Sequence, residues 1–248
     1  MDRADVTVVC CYNDPKQYKK LVEDLARQHY DYTLIGIDNC RQQYSSCAKA
    51  LNAATVQVKT EYVIYSHQDI ELPDADMLGN FVDYLFMTQE EDILGVAGAV
   101  EDDSKQAREH TCVLSKVRHG RKQAVAGERE YSGMDECFFG GHTDFFLHHP
   151  FDEKLCDNWH LYGVERCMYT RAKGNKVYVC DIPLIHTSTG TISRAYNKGF
   201  YRVAKRYAGE DEGEGTTSLK WLRTVCGSSQ TDLLHRLLFY WKREILIR

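Results

Sequence analysis

The chain has 248 residues and a net charge of −5, from 31 basic and 36 acidic residues. This balance argues against a general nucleic-acid-binding protein, because such proteins usually carry a basic surplus. No apolar run reaches the roughly 20 residues that cross a bilayer, and we expect no signal peptide, because an apolar strand-like segment begins almost at once. We therefore expect a globular chain of one large domain, or one domain with an appendage.

Ten cysteines are many for this length, but their spacing includes neither C-x-x-C nor a zinc module. Several stand inside apolar runs, such as Cys10 in VTVVCCY and Cys180 in VYVC. This pattern favours reduced, mostly buried thiols in a cytoplasmic protein over a disulfide framework.

The first hundred residues predict strands alternating with helices. Apolar segments rich in β-branched residues predict buried strands, and apolar residues at helical spacing predict amphipathic helices between them. Asn13, Asp14 and Pro15 are expected to start the first helix, Ser45 or Ser46 the second, and Asp74 or a neighbour the third. The predicted strands are 6–12, 33–39, 62–66 and 93–100. The alternation implies an α/β fold with a mostly parallel sheet.

The second half is less regular. Residues 101–130 are charged and loop-like with a possible hairpin around His119 and Gly120, and 160–174 predict a helix. The segment 176–188 predicts a strand followed by a turn at Pro183 and then His186. The expected division is a domain over 1–208, followed by a mobile acidic loop and a C-terminal helical segment over 209–248. That last helix, with Trp241 beside basic residues, suits either packing on the domain or contact with a membrane surface.

Three polar clusters directly follow predicted strands. They are Asn13–Asp14, Asp38–Asn39 and His67–Gln68–Asp69. Because ligands bind at the carboxyl ends of parallel strands, these clusters predict one site. Asp69 near His67, with His186 beyond a later strand, could ligate Mn²⁺ or Mg²⁺. Alternatively, Asp69 only caps the following turn and His67 is an ordinary surface histidine.

An ordered set of motifs resembles the family 2 glycosyltransferases of the GT-A fold. The segments VTVVCCYND, TLIGIDN, CAKALNAA, EYVIYSHQDIEL and GVERCMYTRAKGNKVYVCDIPLIH follow one another over residues 5–190. The H-Q-D form and the W-H-x-Y-G segment are similar to a bacterial subgroup in which D-x-D becomes H-x-D. The resemblance implies a GT-A, mostly parallel mixed sheet flanked by helices, with a C-terminal helical extension.

The resemblance also implies donor-binding residues. Tyr12 and Asn13 match first-strand positions that contact the nucleotide base, and Asp38 matches the acid that holds this base. Asn52 matches a helix asparagine near the base or ribose. His67 stands where the first acid of D-x-D normally meets the ribose or the metal.

The implied metal ligands are Asp69, which matches the second acid of D-x-D, and His186, which matches a late histidine of the family. A Mn²⁺ or Mg²⁺ ion there would bridge the two phosphates of a UDP- or GDP-sugar. Its role would be electrostatic, since charge develops on the diphosphate as the glycosidic bond breaks.

The catalytic base is where the chain departs from the family. The family places a Glu-Asp pair at the start of the helix after the acceptor loop, and the aligned positions here are Tyr162 and Gly163. Glu165 is the first choice for a base, although an acid at a helix start also complements the helix dipole. Asp135 is the second choice and His160 the third.

Four aromatic residues predict a platform for the acceptor, because aromatic faces pack against the apolar faces of sugars. They are Phe138, Phe139, Trp159 and Tyr162. Packing in the core explains the same residues equally well.

Together these features predict a metal-dependent, inverting glycosyltransferase acting on a glycan, lipid-linked or protein acceptor. We expect it in the cytoplasm, with the inner face of the membrane as the alternative location. One alternative is a catalytically degenerate domain that binds a nucleotide without turnover. A nucleotidyltransferase is a weaker alternative, because the loop YNDPKQ after the first strand has no glycine.

Overall fold

The computed structural model describes residues 5–99, 133–187 and 194–207. The hairpin predicted near His119 and the segment 209–248 lie outside the described residues. The domain boundary, the membrane contact and the cytoplasmic location therefore stay predictions. The elements, in chain order, are β1 (Val6–Tyr12), α1 (Pro15–Leu25), β2 (Thr33–Asp38), α2 (Cys47–Thr55), β3 (Tyr62–Ser66), β4 (Ile70–Glu71), α3 (Met77–Leu85), β5 (Ile93–Gly95), β6 (Gly98–Ala99), β7 (Gly133–Met134), β8 (Phe138–His142), α4 (Thr143–His148), α5 (Tyr162–Ala172), β9 (Val177–Val179), β10 (Ile185–His186) and α6 (Arg194–Tyr207).

A six-stranded mixed sheet forms the centre, in the order β2-β1-β3-β8-β5-β9. Strand β1 runs parallel to β2 and β3, and β5 runs parallel to β9. Strand β8 is antiparallel to both of its neighbours, β3 and β5. Two short pairs, β10-β4 and β6-β7, lie beside this sheet. The sequence-based prediction of a mostly parallel α/β sheet is confirmed, except that β2 is a partly exposed edge strand rather than a buried one.

Both faces of the sheet are covered, because alternate residues of a strand point to opposite faces. On β3, Ile64 joins the core that contains α1 and α3, whereas Val63 joins the core that contains α2 and α4. The predicted first helix has the expected cap, since the Asp14 carboxylate accepts hydrogen bonds from the backbone N–H groups of residues 16 and 17. A local side-chain cap therefore sets the start of α1, and burial sets the strand faces.

Glycine allows β8 to lie between β3 and β5. A Cβ atom added at Gly140 would meet the Val63 carbonyl oxygen at 2.2 Å, so a larger residue cannot occupy this position without moving the strand. This close pairing brings the segment before β8 to the carboxyl end of β3. There the His67 N–H donates to the Cys137 carbonyl at 2.8 Å.

Eight of the ten cysteines are described, and all eight are free thiols. Six of them are buried, which matches the prediction of thiols packed as small apolar side chains. Among the described residues, no helix has the length and apolar character needed to cross a membrane.

Candidate functional site

The polar clusters predicted to meet at one edge of the sheet do so. The last residue of β1, Tyr12, pairs with Asp38 at the end of β2, and His67 directly follows β3. Strand β10 then returns antiparallel to β4, with His186 opposite Ile70. This pairing places His186 next to Asp69, although the two residues are more than a hundred positions apart in the chain.

Three side chains converge on this edge. The Asp69 Oδ1 atom lies 3.3 Å from His186 Nε2 and 3.9 Å from His67 Nδ1. The two imidazoles approach each other at 3.5 Å between His67 Nδ1 and His186 Nε2. The three ligand atoms lie within 4.8 Å of one another, so one carboxylate and two imidazoles could hold a single metal ion.

The backbone fixes this cluster from the β10 side. Both the N–H and the hydroxyl of Thr187 donate to the Asp69 carbonyl at 3.0 Å. His186 itself is only 8% exposed. The two sides of the cluster are thus joined by main-chain contacts as well as by the side chains.

Electrostatic coupling within the cluster separates the titrations of the two histidines. Burial and the neighbouring His186 lower the pKa of His67 to about 4. Burial also acts to lower the pKa of His186, but the hydrogen bond to Asp69 and the charges of Asp135 and Asp69 outweigh it, so that pKa is raised. Burial acts to raise the pKa of Asp69, but His186 and His67 outweigh it and lower that pKa. The carboxylate is therefore kept charged and His67 neutral near pH 7.

A second carboxylate, Asp135, lies beside the same histidines. Its charge acts to raise the pKa of His67, His160 and His186. Its Oδ1 atom accepts a hydrogen bond from the Cys137 N–H at 2.9 Å, and ligand atoms of Asp135, Cys137 and His186 also lie within 4.8 Å of one another. Asp135 is thus a candidate for proton transfer next to the three-residue cluster.

Sequence reasoning missed Glu136, which fixes the start of α5. Its two carboxylate oxygens accept hydrogen bonds from the N–H groups of Leu161, at 3.0 Å, and Gly163, at 3.1 Å. A Cβ atom added at Gly163 would lie 2.7 Å from the Glu136 Cβ, so glycine makes room for this acid. Burial and the charge of Asp135 raise the pKa of Glu136 to about 8. The available signal was the glycine where the family has an acid.

On the donor side, Gln68 connects the ends of β1 and β3. Its Oε1 atom accepts from the N–H groups of Asn13 and Asp14, both at 2.9 Å, and its Nε2 donates to the Asn13 side chain at 2.8 Å. Tyr12 stacks on Tyr18, with ring centroids 3.9 Å apart. The middle residue of H-Q-D therefore positions the loop that was predicted to contact the base.

Two other predicted donor residues differ in their surroundings. Asp38 is exposed at the same edge, where its carboxylate accepts from the Cys40 N–H and its pKa is lowered by Cys40. Asn52 instead forms hydrogen bonds with the loop after α4. Its side-chain Nδ2 donates to the Phe151 carbonyl and to the Glu153 carboxylate, and its Oδ1 accepts from the Phe151 N–H. The structure groups Asp38 with the strand ends and engages the Asn52 side chain in holding that loop.

Glu165, the first sequence-based choice for a base, lies in a closed environment. It is 3% exposed, and its Oε1 accepts a hydrogen bond from the Tyr207 hydroxyl of α6 at 2.6 Å. Burial raises its pKa, although the neighbouring Arg166 and Tyr207 oppose this. His160, the third choice, is less buried and places Nδ1 at 3.9 Å from Glu136 Oε1.

The four predicted acceptor residues also separate. Trp159 is 40% exposed, whereas Phe138, Phe139 and Tyr162 are buried in the core. For these three, core packing, the second of the two interpretations, agrees with their burial. Trp159 remains the aromatic residue of this set with an open face.

The family comparison decides the class of enzyme. The sequence profile of the glycosyltransferase-like family matches residues 7–207. The chain belongs to this glycosyltransferase-like family. No curated protein sequence matches the chain. The assignment confirms the class of enzyme inferred from the ordered motifs.

Solved glycosyltransferase structures share the fold of this family member. TarS from S. aureus matches with a TM-score of 0.58 and 14% identity, over 92% of this chain and 44% of TarS. The mannosyltransferase PcManGT from Pyrobaculum calidifontis, in complex with GDP-Man and Mn²⁺, matches with a TM-score of 0.52 and 13% identity. The match covers 89% of this chain and 68% of PcManGT. GalNAc-T7 with UDP, GalNAc and Mn²⁺ matches with a TM-score of 0.57 and 12% identity, over 96% of this chain and 57% of GalNAc-T7.

These similarities confirm the GT-A fold for this glycosyltransferase-like chain. The chain spans less than half the length of TarS. At these identities, the likeness concerns the arrangement of the sheet and helices, not the substrates.

Proposed function

We propose that this protein transfers a sugar from a nucleoside diphosphate sugar to a hydroxyl group of a glycan, lipid-linked or protein acceptor. The observation that carries the proposal is the cluster of Asp69, His67 and His186 at the carboxyl edge of the sheet, with 3.3 Å between Asp69 and His186. Membership of the glycosyltransferase-like family supports the reaction class.

The ligand atoms of this cluster suit a divalent cation. Asp69 and His186 would be ligands, with His67 as a third, and imidazole nitrogen favours Mn²⁺ over Mg²⁺. When bound, such an ion supplies electrostatic stabilisation of the diphosphate leaving group. The H-Q-D sequence at 67–69 supports membership of the subgroup in which a histidine replaces the first acid.

For the nucleotide, we propose Tyr12, Asn13 and Asp38 as the contacts of the base. They occupy the ends of β1 and β2, next to the proposed ion site. TarS has been solved with UDP-GlcNAc and PcManGT with GDP-Man. A UDP- or GDP-sugar is accordingly the first donor class to test, with Trp159 as a candidate contact of the acceptor.

For the base, we favour Asp135 over Glu165. The charge of Asp135 acts to raise the pKa of three neighbouring histidines. Glu165, in contrast, is buried and accepts a hydrogen bond from the Tyr207 hydroxyl of α6. In the proposed step, Asp135 takes the proton of the acceptor hydroxyl. At the same time the hydroxyl oxygen attacks the anomeric carbon of the donor sugar, and the bond between this carbon and the diphosphate breaks. Attack opposite the leaving group inverts the configuration.

The test is transfer from radiolabelled UDP- and GDP-sugars, including hydrolysis without an acceptor, in the presence of Mn²⁺. We expect wild-type turnover, and a loss of at least about 100-fold in Asp69→Asn. Asp83→Asn, which changes an exposed acid of α3, is the matched control and should retain full activity. Wild-type-like turnover in Asp69→Asn would refute the role of this cluster.

The degenerate alternative has one observation in its favour: Tyr162 and Gly163 offer no carboxylate where the family has its acid pair. It predicts that UDP or GDP with Mn²⁺ raises the unfolding temperature, while no donor is hydrolysed or transferred. Absence of any thermal shift with both nucleotides would count against this alternative and against the proposed enzyme.

A further inference from the structure

The Tyr162 hydroxyl lies between the proposed ion site and the segment before β8. It is 2.8 Å from His67 Nε2 and 3.4 Å from the Glu136 carbonyl oxygen. Tyr162 is 1% exposed, and the Cys47 thiol is a further hydrogen-bonding neighbour of its hydroxyl. The contact joins two departures from the family pattern, since His67 replaces the first acid of D-x-D and Tyr162 replaces an acid of the Glu-Asp pair.

The hydrogen count at this hydroxyl determines the state of the imidazole. The Glu136 carbonyl oxygen can only accept, so both contacts are hydrogen bonds together only when the Tyr162 hydroxyl donates its single hydrogen to Glu136. The hydroxyl oxygen then accepts the contact with His67, which requires a hydrogen on Nε2. A neutral imidazole carries one ring hydrogen, and its other nitrogen therefore has a free lone pair.

That other nitrogen faces the cluster. His67 Nδ1 lies 3.5 Å from His186 Nε2 and 3.9 Å from Asp69 Oδ1. We infer that Tyr162 is a positioning residue that holds His67 in its Nε2–H form, so that the Nδ1 lone pair points at the site where a divalent cation would bind. This inference rests on the proposed metal-dependent function.

The position of Tyr162 is itself well fixed. It is the first residue of α5, and the two N–H groups on either side of it, from Leu161 and Gly163, are held by the Glu136 carboxylate. Its ring contacts Phe139 and Phe151, with centroids 6.1 and 5.8 Å away. Removing the hydroxyl alone should therefore leave the ring in place and release only the imidazole.

The test compares Tyr162→Phe with Tyr65→Phe in the full chain. Tyr65 is a fitting control, because it is 1% exposed in the same core and its hydroxyl bonds Thr55 at 2.8 Å, away from the histidines. Titration with Mn²⁺ alone should show affinity weakened about 10- to 100-fold in Tyr162→Phe, as is usual when the partner of a ligating histidine is lost. Tyr65→Phe should bind as the wild type does.

Two further measurements separate positioning from general damage. In a His67→Ala background, Tyr162→Phe should weaken Mn²⁺ binding no further, because the hydroxyl acts through that imidazole. Nitrogen-15 NMR of the metal-free wild type should show His67 with hydrogen on Nε2, and Tyr162→Phe should show a mixture of the two forms.

Equal Mn²⁺ affinity in the two tyrosine variants, or hydrogen on Nδ1 in the wild type, would overturn the inference. Asp69→Asn in the same titration keeps this failure distinct from failure of the proposed function. If Asp69→Asn loses Mn²⁺ and Tyr162→Phe does not, the metal site stands and the positioning role is wrong. If the wild type itself binds no Mn²⁺, the metal-dependent function is wrong, and so is the inference that depends on it.

Discussion

Two clusters of charged side chains, one around Asp69 at the sheet edge and one around Glu165 and Arg166 on α5, differ in what surrounds their carboxylates. At the sheet edge, His186 and His67 outweigh the burial of Asp69 and lower its pKa. Beneath α6, burial dominates around Glu165 and raises its pKa, in spite of the adjacent Arg166. An acid close to a positively charged group is therefore not by itself a sign of catalysis, because the partners of the acid and its access to solvent decide its role.

The buried cluster of Glu165, Arg166 and Tyr207, called the closed cluster below, is centred on Arg166. Arg166 is one of the largest fully buried side chains of the described residues. Its guanidinium carbon lies 5.0 to 5.5 Å from four aromatic rings. Such rings attract a cation through their faces. The rings are those of Phe145, Phe146, Phe151 and Tyr169. We interpret this cluster as a stabilising contact between α4, α5 and α6, and the sheet-edge cluster as the reactive one.

The largest expected difference is in catalysis. Asp135→Asn should lower kcat by about 10²- to 10⁴-fold, as expected when a general base is removed. Glu165→Gln should leave kcat near that of the wild type, because Glu165 faces Tyr207 rather than the histidines. Turnover at saturating donor, measured below the unfolding midpoint of each variant, checks both. The reverse result, with loss in Glu165→Gln alone, would restore Glu165 as the base.

The next largest effect concerns stability. Arg166→Ala should lower the free energy of unfolding by about 3 kcal/mol, since it leaves a cavity among the rings and Glu165 without its neighbouring cation. Arg171→Ala, on the same helix but partly exposed, is the control and should cost less than about 1 kcal/mol. Urea unfolding measures both, and equal losses would contradict the special role of the closed cluster.

A smaller loss is expected where α5 begins. Gly163→Ala adds a Cβ atom 2.7 Å from that of Glu136, so it should destabilise the protein by about 1 to 3 kcal/mol through overpacking. In contrast, Gly79→Ala in α3 meets its nearest atom at 3.6 Å and should be neutral or stabilise by about 0.5 kcal/mol. Thermal unfolding of the pair checks this, and a tolerated alanine at 163 would mean that Glu136 does not need the close approach.

The smallest expected effect is a pH dependence. The folded-state pKa of Glu165 is raised above its ordinary value of 4.5, so its ionisation is harder in the folded than in the unfolded state. Its contribution to stability is therefore complete below pH 4.5 and falls as pH rises above that value. Glu165→Gln removes this loss, so the stability of the variant relative to the wild type should increase from pH 4.5 towards neutrality. A difference that stays constant with pH would contradict the raised pKa.

The sequence predicts well what local signals determine. The helix caps Asp14 and Ser46 and the alternation of strands and helices depend on short stretches of sequence, and the structure confirms both caps. The approach of Asp69 and His186 could be expected, because the sequence placed both residues just beyond predicted strands, and the carboxyl ends of parallel strands meet at one edge of a sheet. The burial of Glu165 could not, since it depends on Tyr207, more than forty residues away. The role of Glu136 at α5 was marked only by the glycine at 163, because the contact between these two residues results from long-range packing.

The measurement that tests the central claim most directly is a crystal structure with UDP and Mn²⁺, recorded with anomalous data at the manganese edge. We predict one anomalous peak within bonding distance of Asp69 and His186, with the diphosphate beside it and the nucleotide base near Tyr12 and Asp38. Nucleotide bound at another surface, or a manganese peak remote from Asp69, would contradict it.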